Sequence, residues 1–201
     1  MTDPTVHTAH TCRLAPAALD EIHAFLDTAF AGTFSEDDWD HTLGGIHVRV
    51  RDASGLLAHG SVVQRRVVHA GRSRRVGYVE GVAVRADRRR EGLGGRVMAA
   101  LEEVVDGAYA FGALSASAAG AALYAGRGWT VWPGRIAVQG PHGVERLAEE
   151  EGSTYVRGAG GAAVPSGGAP YVRGAGGAAV PSGGAPAAEV LVFDWRDGDV
   201  M

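Results

Sequence analysis

The 201-residue chain contains no lysine and only one cysteine, and each lack removes a class of chemistry. Without lysine there is no P-loop, whose lysine must reach the terminal phosphates of a nucleotide. Cys12 alone cannot close an internal disulfide, and no cysteine–histidine cluster offers a zinc site, so no metal is expected. The eight histidines are scattered, which favours ordinary surface or core roles for them. The opening MTDPTVHTAH lacks the apolar core of a signal peptide, which points to the cytoplasm. Gly107 to Gly126 carries no formal charge, but it is built of Gly, Ala and Ser rather than large apolar side chains, which argues against a membrane span. A net charge of −4 disfavours nucleic acid and leans toward cationic partners. What remains is 46% hydrophobic and 21% charged, a globular composition long enough to bury a core unaided.

The stretch Arg74 to Gly107 organises the rest. Val76, Tyr78, Val79, Val82 and Val84 form an apolar run of β-branched and aromatic residues, which reads as a largely buried strand. Leu93, Val97, Met98, Leu101, Val104 and Val105 recur at helical spacing, opposite Arg96, Glu102, Glu103 and Asp106. Between them, Arg85 to Gly92 carries four arginines, and the helix opens on Gly92, Gly94 and Gly95. Unpaired amides and the positive end of a helix dipole attract phosphate; glycines admit it closely and arginines add charge. A dinucleotide fingerprint would need glycine at position 97, which is Val97. The pattern that fits is R-x-x-G-x-G, spelled by Arg89, Arg90, Glu91, Gly92, Leu93 and Gly94.

Ahead of this stretch, the pattern predicts a strand over His7–Leu14 and a helix that starts at Pro16, carries Leu19, Ile22, His23, Phe25, Leu26 and Phe30, and ends near Gly32. Ser35 and Asp38 spell a capping box before a short helix through Trp39 to Leu43, stopped by Gly44 and Gly45. A hairpin follows, Ile46–Arg51 and Leu56–His69, with at least one of Arg65 and Arg66 solvated. Beyond the organising helix, a strand is predicted at Tyr109–Leu114, a helix at Ser117–Ala125, and strands at Trp129–Trp132, Ile136–Gln139 and Glu189–Phe193. Strands followed by helices make an α+β class. Residues 155–170, YVRGAGGAAVPSGGAP, recur letter for letter at 171–186. Two copies cannot build a solenoid, and their composition suits a flexible loop inserted in a single domain of residues 1–201. Only one Tyr-Val-Arg can lie beside the last strand, and Tyr155 is expected there because it follows the acidic segment Glu149–Ser153 directly.

The R-x-x-G-x-G turn after V-A-V resembles the acetyl-coenzyme A pyrophosphate loop of the GNAT superfamily of N-acetyltransferases. The phrase ALYAGRGW, Ala122 to Trp129, resembles a second signature of that superfamily, a helix carrying a tyrosine and ending on glycine before an aromatic strand. Longer blocks, FAGTFSEDDWDHTLGG, GYVEGVAVRAD, GALSASA, LYAGRGW and DWRDGDV, are similar in the same order to aminoglycoside 2′-N-acetyltransferases. The resemblance implies a GNAT fold, with a mixed, mostly antiparallel sheet, helices on both faces and splayed central strands. It also implies acetyl-coenzyme A as cosubstrate, an aminoglycoside as acceptor, a role in antibiotic resistance and a homodimer. By the same resemblance Glu80 accepts the proton of the attacking amine through ordered water, and Tyr124 protonates the leaving thiolate. Amides near Val82 polarise the thioester carbonyl, Val82, Ala83 and Val84 hold the pantetheine arm, and Arg89 to Gly94 hold the pyrophosphate. Carboxylates and carbonyls of Glu80, Gly81, Ser115, Glu150 and Asp199, with the chain terminus at Met201, surround the acceptor. Thr33 stands where the family has aspartate, and Met201 where it has tryptophan. The residues alone leave Tyr124 open as a core tyrosine and Glu149–Glu151 open as a solvated run. They also leave open a polyamine or amino-sugar acceptor, or a protein that binds coenzyme A or drug without turnover.

Overall fold

The structure, a computed structural model, describes residues 3–164 and 190–198. Its contacts divide the chain into two compact units, residues 1–64 with 77–108, and residues 65–76 with 109–201. The two longest strands, β3 (Gly55–His69) and β4 (Arg72–Val84), each give one end to either unit.

In the first unit, β1 (Thr5–His10), β2 (Ile46–Asp52) and β3 form an antiparallel meander, with Val48 opposite Thr8 on one side and Gly60 on the other. Residues 77–84 of β4 continue the sheet beside β3. The β2–β3 turn is two residues long, because the Asp52 carboxylate accepts from the Ser54 amide at 2.7 Å and its hydroxyl at 2.6 Å. Helix α1 (Pro16–Ala29) starts on its proline and buries Ile22 and Leu26 against Leu56 and Ala83. Helix α2 (Glu36–Thr42) begins with the expected capping box, Ser35 Oγ accepting from the Asp38 amide and Asp38 accepting from the Ser35 amide. Helix α3 (Leu93–Ala108) buries Leu93, Val97, Met98, Leu101 and Val105. Gly60 lets it lie close on β3, since a Cβ there would stand 2.7 Å from Val97 Cγ1 and 3.0 Å from Leu101 Cδ1.

Two local expectations need correction in this unit. The first strand ends at His10 rather than Leu14, and Thr11–Arg13 form a 3-10 turn in which the His10 ring accepts from the Cys12 amide. Glu102, assigned above to the solvent side of α3, is buried. It lies four residues after Met98 and three before Val105, so the covered stripe is wider than the apolar residues alone mark.

The second unit holds residues 65–69 and 72–76 of the β3–β4 hairpin, whose two-residue turn has Ala70 at φ 49° and Gly71 at φ 72°. To it belong β5 (Phe111–Ser115), α4 (Ala121–Ala125), β6 (Thr130–Val131), β7 (Arg135–Gly140), β8 (Gly143–Arg146), β9 (Thr154–Gly158) and β10 (Val190–Asp194). Strand β9 lies antiparallel between β5 and β6; β10 is antiparallel to β3 and parallel to β7, and β8 closes a hairpin on β7. The result is a mixed, mostly antiparallel sheet with helices, an α+β fold. Arg66 is exposed, as a solvated edge charge should be, whereas Arg65 is fully buried and donates from Nε to Asp194 at 2.7 Å.

Here the sequence reading differs in three places. Helix α4 starts at Ala121 rather than Ser117, because the Ser117 carbonyl is taken by the amides of Gly120 and Ala121 in a preceding turn. Strand β8 was not anticipated, since Gly-Val-Glu-Arg has no apolar alternation. Tyr155 is in a strand, but it faces Leu114 of β5 and Val131 of β6 rather than β10. The all-apolar Leu191–Phe193 is flanked instead by β3 and the equally apolar Ile136–Val138, which suits a strand buried on both faces. Residues 155–158 of the first repeat copy are therefore ordered strand. Residues 165–189, with the second Tyr-Val-Arg and most of the expected flexible insert, lie outside the described residues.

Candidate active site

The first unit carries the arginine loop. Helix α3 has no carbonyl one turn earlier for its first amides, and its first helical bond runs from the Arg96 amide to the Gly92 carbonyl at 3.1 Å. Gly92 has φ 79°, and apart from its chain neighbours nothing lies within 4 Å of where a Cβ would stand. The arginines divide by partner. Arg85 grips Asp87 through two hydrogen bonds of 2.7 and 3.1 Å and reaches Ser54; Arg88 donates to Asp52 at 3.0 Å and to Glu91 at 2.9 Å. These two brace the loop. Bonds from the Ser54 hydroxyl and amide, then from Arg88, hold the Asp52 carboxyl down to about 2, while Glu91 and Asp52 push the Arg88 guanidinium up.

Arg89 uses only Nε, toward the Val84 carbonyl at 3.3 Å, and Arg90 is held exposed at φ 67°. Among the described residues neither is paired with a carboxylate, so both keep charge for an incoming anion. The expected set Arg89 to Gly94 thus splits. Arg89, Arg90 and the backbones of Gly92, Leu93 and Gly94 suit a diphosphate, the Leu93 side chain is buried as an anchor, and the Glu91 carboxylate is turned to Arg88. The donor set fits the diphosphate of coenzyme A.

Glu80, Gly81, Val82, Ala83 and Val84 follow one another along β4. Glu80 is half-buried, and its carbonyl accepts from Ser61 Oγ at 3.4 Å. Gly81 has φ 57°, which breaks the pleat in mid-strand. A Cβ at Gly81 would stand 3.2 Å from Thr42 Cγ2 and 3.3 Å from Leu26 Cδ1, so a side chain there would crowd both methyls as well as strain φ. The Gly81 carbonyl accepts from His59 Nδ1 at 2.9 Å, His59 Nε2 meets His47 Nδ1 at 3.0 Å, and His47 Nε2 meets Thr11 Oγ1 at 2.9 Å. Burial, then neighbouring charge, lowers the His47 imidazole to about 4 and the His59 imidazole to about 3, so both are neutral near pH 7. Sequence reading passed over this pair. The signal was there: His59 sits in an apolar run and His47 between Ile46 and Val48, on two strands joined by a short hairpin.

Thr33, also in this unit, is exposed and donates from Oγ1 to the Phe30 carbonyl at 2.7 Å, closing the end of α1.

The second unit holds Tyr124, Ser115 and Glu150. Tyr124 is buried on α4, its ring edge-on to Trp129 and tilted on Tyr155, with centroids 6.5 and 6.1 Å away. Gly120 leaves room for that ring, for a Cβ there would be 3.0 Å from Tyr124 Cε2. Burial pushes the Tyr124 phenol up to about 12, so it carries its proton. Ser115, far from Glu150 in sequence, donates to Glu150 Oε2 at 2.7 Å, and Ser153 donates to the same oxygen at 3.0 Å. Glu151 is gripped by Arg146 through bonds of 2.9 and 2.8 Å, and Glu149 is exposed. The acidic run is therefore one solvated, one anchored and one ion-paired carboxylate. Asp199 and Met201 lie outside the described residues. Among the described residues no helix is long and apolar enough to cross a membrane, and no cluster of three or more His, Cys, Asp or Glu side chains could hold a metal ion.

Residues 11–132 match the family profile described as acetyltransferase (GNAT) domain. An aminoglycoside 2′-N-acetyltransferase of Mycolicibacterium fortuitum is 39% identical over 198 residues, 97% of this chain and 92% of its own. Among solved structures, the GNAT family N-acetyltransferase YhbS of Escherichia coli, in complex with CoA, superposes with a TM-score of 0.53 at 16% identity over 78% of this chain and 83% of its own. A probable N-acyltransferase of Enterococcus faecalis V583 gives 0.54 at 14% identity over 65% of this chain, which spans only 33% of that protein. At such identities the two structures speak for the fold, while the profile and the full-length relative speak for descent. The chain belongs to the GNAT family of acetyltransferases and is an acetyl-coenzyme A-dependent N-acyltransferase.

Proposed function

We propose that this enzyme acetylates the 2′-amine of aminoglycoside antibiotics, with resistance to them as the consequence. The observation that carries the reading is the 39% identity to an aminoglycoside 2′-N-acetyltransferase along nearly the whole of both chains. When bound, acetyl-coenzyme A supplies the acetyl group as a thioester; the chain's residues bind, orient and move protons. Arg89, Arg90 and the amides of Gly92, Leu93 and Gly94 grip the diphosphate, and Val82, Ala83 and Val84 hold the pantetheine arm as an added strand would be held. Glu80 takes the proton that an ammonium acceptor must lose before it can attack, through ordered water. The Val82 amide donates to the acetyl carbonyl, where negative charge develops. Tyr124, kept protonated by its burial, gives its proton to the departing sulfur.

A polycationic sugar needs carboxylates and carbonyls around it. Glu150, fixed through one oxygen by Ser115 and Ser153, supplies an oriented carboxylate; Glu80, Asp199, Met201 and the backbones of Gly81 and Ser115 are the further acceptor contacts that the resemblance to the family suggests. Thr33 offers a hydroxyl where an acidic side chain would offer charge, which weakens acceptor binding at that point. The enzyme works in the cytoplasm as a homodimer of single-domain chains.

The test is thiol release from acetyl-coenzyme A with acceptors that differ in amine. Release is expected with tobramycin and gentamicin, which carry a 2′-amine, and not with kanamycin A, which has a hydroxyl there, nor with spermidine or glucosamine. Release with spermidine or glucosamine alone would move the enzyme to another cationic amine. Aminoglycoside binding without release from any acceptor would make it a sequestering protein. Light scattering of the eluting protein reads its oligomeric state.

A further inference from the structure

A line of hydrogen bonds crosses the first unit from Thr11 to the carbonyl of Gly81, and its last contact fixes the direction of all the others. A carbonyl only accepts, so His59 Nδ1, 2.9 Å from Gly81 O, must carry a proton. The imidazole is fully buried and neutral, so its Nε2 must accept; the donor is His47 Nδ1, 3.0 Å away. His47, also fully buried, then accepts at Nε2 from the Thr11 hydroxyl at 2.9 Å, the nearer of that hydroxyl's two acceptors, the Gly45 carbonyl being 3.2 Å away. Reversing any link sets two lone pairs against each other. The rings, 5.3 Å apart at 43°, are thus held in one tautomer each without a charge between them.

Gly81 is the residue of β4 with positive φ, and its carbonyl and the Val82 N–H belong to one planar trans peptide. In such a unit the C=O and N–H point in opposite directions. Fixing the oxygen therefore fixes where the hydrogen points. We infer that His59, held in its Nδ1–H tautomer by His47 and Thr11, is a positioning residue that aims the Val82 amide at the acetyl carbonyl. This rests on the reading of Val82 as the donor to that carbonyl. His59 touches neither substrate. It acts by denying the glycine peptide the rotation that its missing side chain would otherwise permit, so that the donor is preorganised before the reaction begins.

Two variants and one spectrum test it in the full chain. His59→Leu keeps the bulk and removes the donor, whereas His59→Asn places an amide N–H where Nδ1 stood. Loss of a preorganised donor is expected to lower kcat about a hundredfold in His59→Leu. The Kd for coenzyme A, which has no acyl carbonyl, is expected to be unchanged, and His59→Asn should recover at least about tenfold of the lost rate. In the parent, long-range 15N–1H spectra should show both imidazoles neutral and protonated at Nδ1, with the Val82 amide resonance shifted in His59→Leu. An Nε2–H tautomer at His59 overturns the inference, and this readout stands even where a variant does not fold. A His59→Leu enzyme with parental kcat also overturns it, as does a folded His59→Asn enzyme no faster than His59→Leu. The rates are measured with whichever amine the parent acetylates, and the spectra need no acceptor. Failure on aminoglycosides is therefore read separately from failure of the positioning role.

Discussion

Tyr124 is held well above the ordinary phenol range, at about 12, because Trp129, Tyr155 and the body of α4 exclude water from it. A group with that value stays protonated throughout any practical assay. In the proposed role, its loss removes a proton donor rather than altering a titration. Tyr124→Phe keeps the ring and its packing, so the expected result is a fall in kcat of about 10²-fold with the KM for acetyl-coenzyme A nearly unchanged. Initial rates at saturating acceptor check this; a parental kcat would return Tyr124 to the core. His47 and His59 are shifted the other way, and the sign of their linkage follows. Both folded values, about 4 and about 3, lie below the unfolded value. Between these values and about 6.5 the unfolded chain binds the extra protons. Stability is thus fully present above that range and is lost as pH falls through it, by up to about 1.4 kcal/mol per pH unit for each histidine. Urea unfolding at pH 7, 6 and 5, where most carboxylates stay ionised, reads this slope. A flat profile would mean that the pair is not kept neutral. Legibility at this scale was uneven. Glu80 and Tyr124 stand inside motifs, but the histidines have no motif, and their meeting depends on the β2–β3 register and, for His59, on a positive-φ glycine in a third strand.

Elements with a local cause were the ones the sequence declared. Pro16 opens α1, Ser35 and Asp38 cap α2, and the four arginines with Gly92 announce the head of α3 before any tertiary contact is known. Pairings between distant segments were not declared. Tyr155 was expected beside the last strand and lies between β5 and β6, because strand partners are chosen by which apolar faces remain uncovered. Where α3 meets β3 the partner is chosen by a missing side chain. A methyl at Gly60 would stand 2.7 Å from Val97 Cγ1, 3.0 Å from Leu101 Cδ1 and 3.3 Å from Val82 Cγ2. Helix and strand must then part or the three side chains must turn off their rotamers, and such overpacking costs about 1–3 kcal/mol. Because the same helix carries the amides proposed to hold the diphosphate, Gly60→Ala is expected to lower the unfolding free energy by that amount and to weaken coenzyme A binding together with it. Thermal melts and calorimetric titration would check both, and a variant as stable as the parent would show that α3 does not rest on this contact.

The chain gathers four arginines in one turn, Arg85 to Arg90, and spreads its carboxylates along its length, under a net charge of only −4. One feature of its length is redundant by construction. Residues 171–186 repeat residues 155–170 letter for letter, and Tyr155 to Gly158 of the first copy already occupy β9 with a partner on each side. No contact that depends on side-chain order needs the same order twice. Removing 171–186 roughly halves the connection from β9 to β10, and the entropy of closing such a connection changes by only about 0.6 kcal/mol per doubling of its length. The shortened chain should therefore melt within about 2 °C of the parent, given roughly 2–4 °C for each kcal/mol at this size. Its kcat and its KM for acetyl-coenzyme A should be unchanged. The acceptor KM is the sensitive quantity, because Glu150 and the residues anchoring it immediately precede β9 in the chain. A fall in that KM alone would mean that the second copy obstructs the acceptor. A drop of several degrees, or loss of turnover, would mean that residues 171–186 make contacts of their own and that the duplication has become part of the fold.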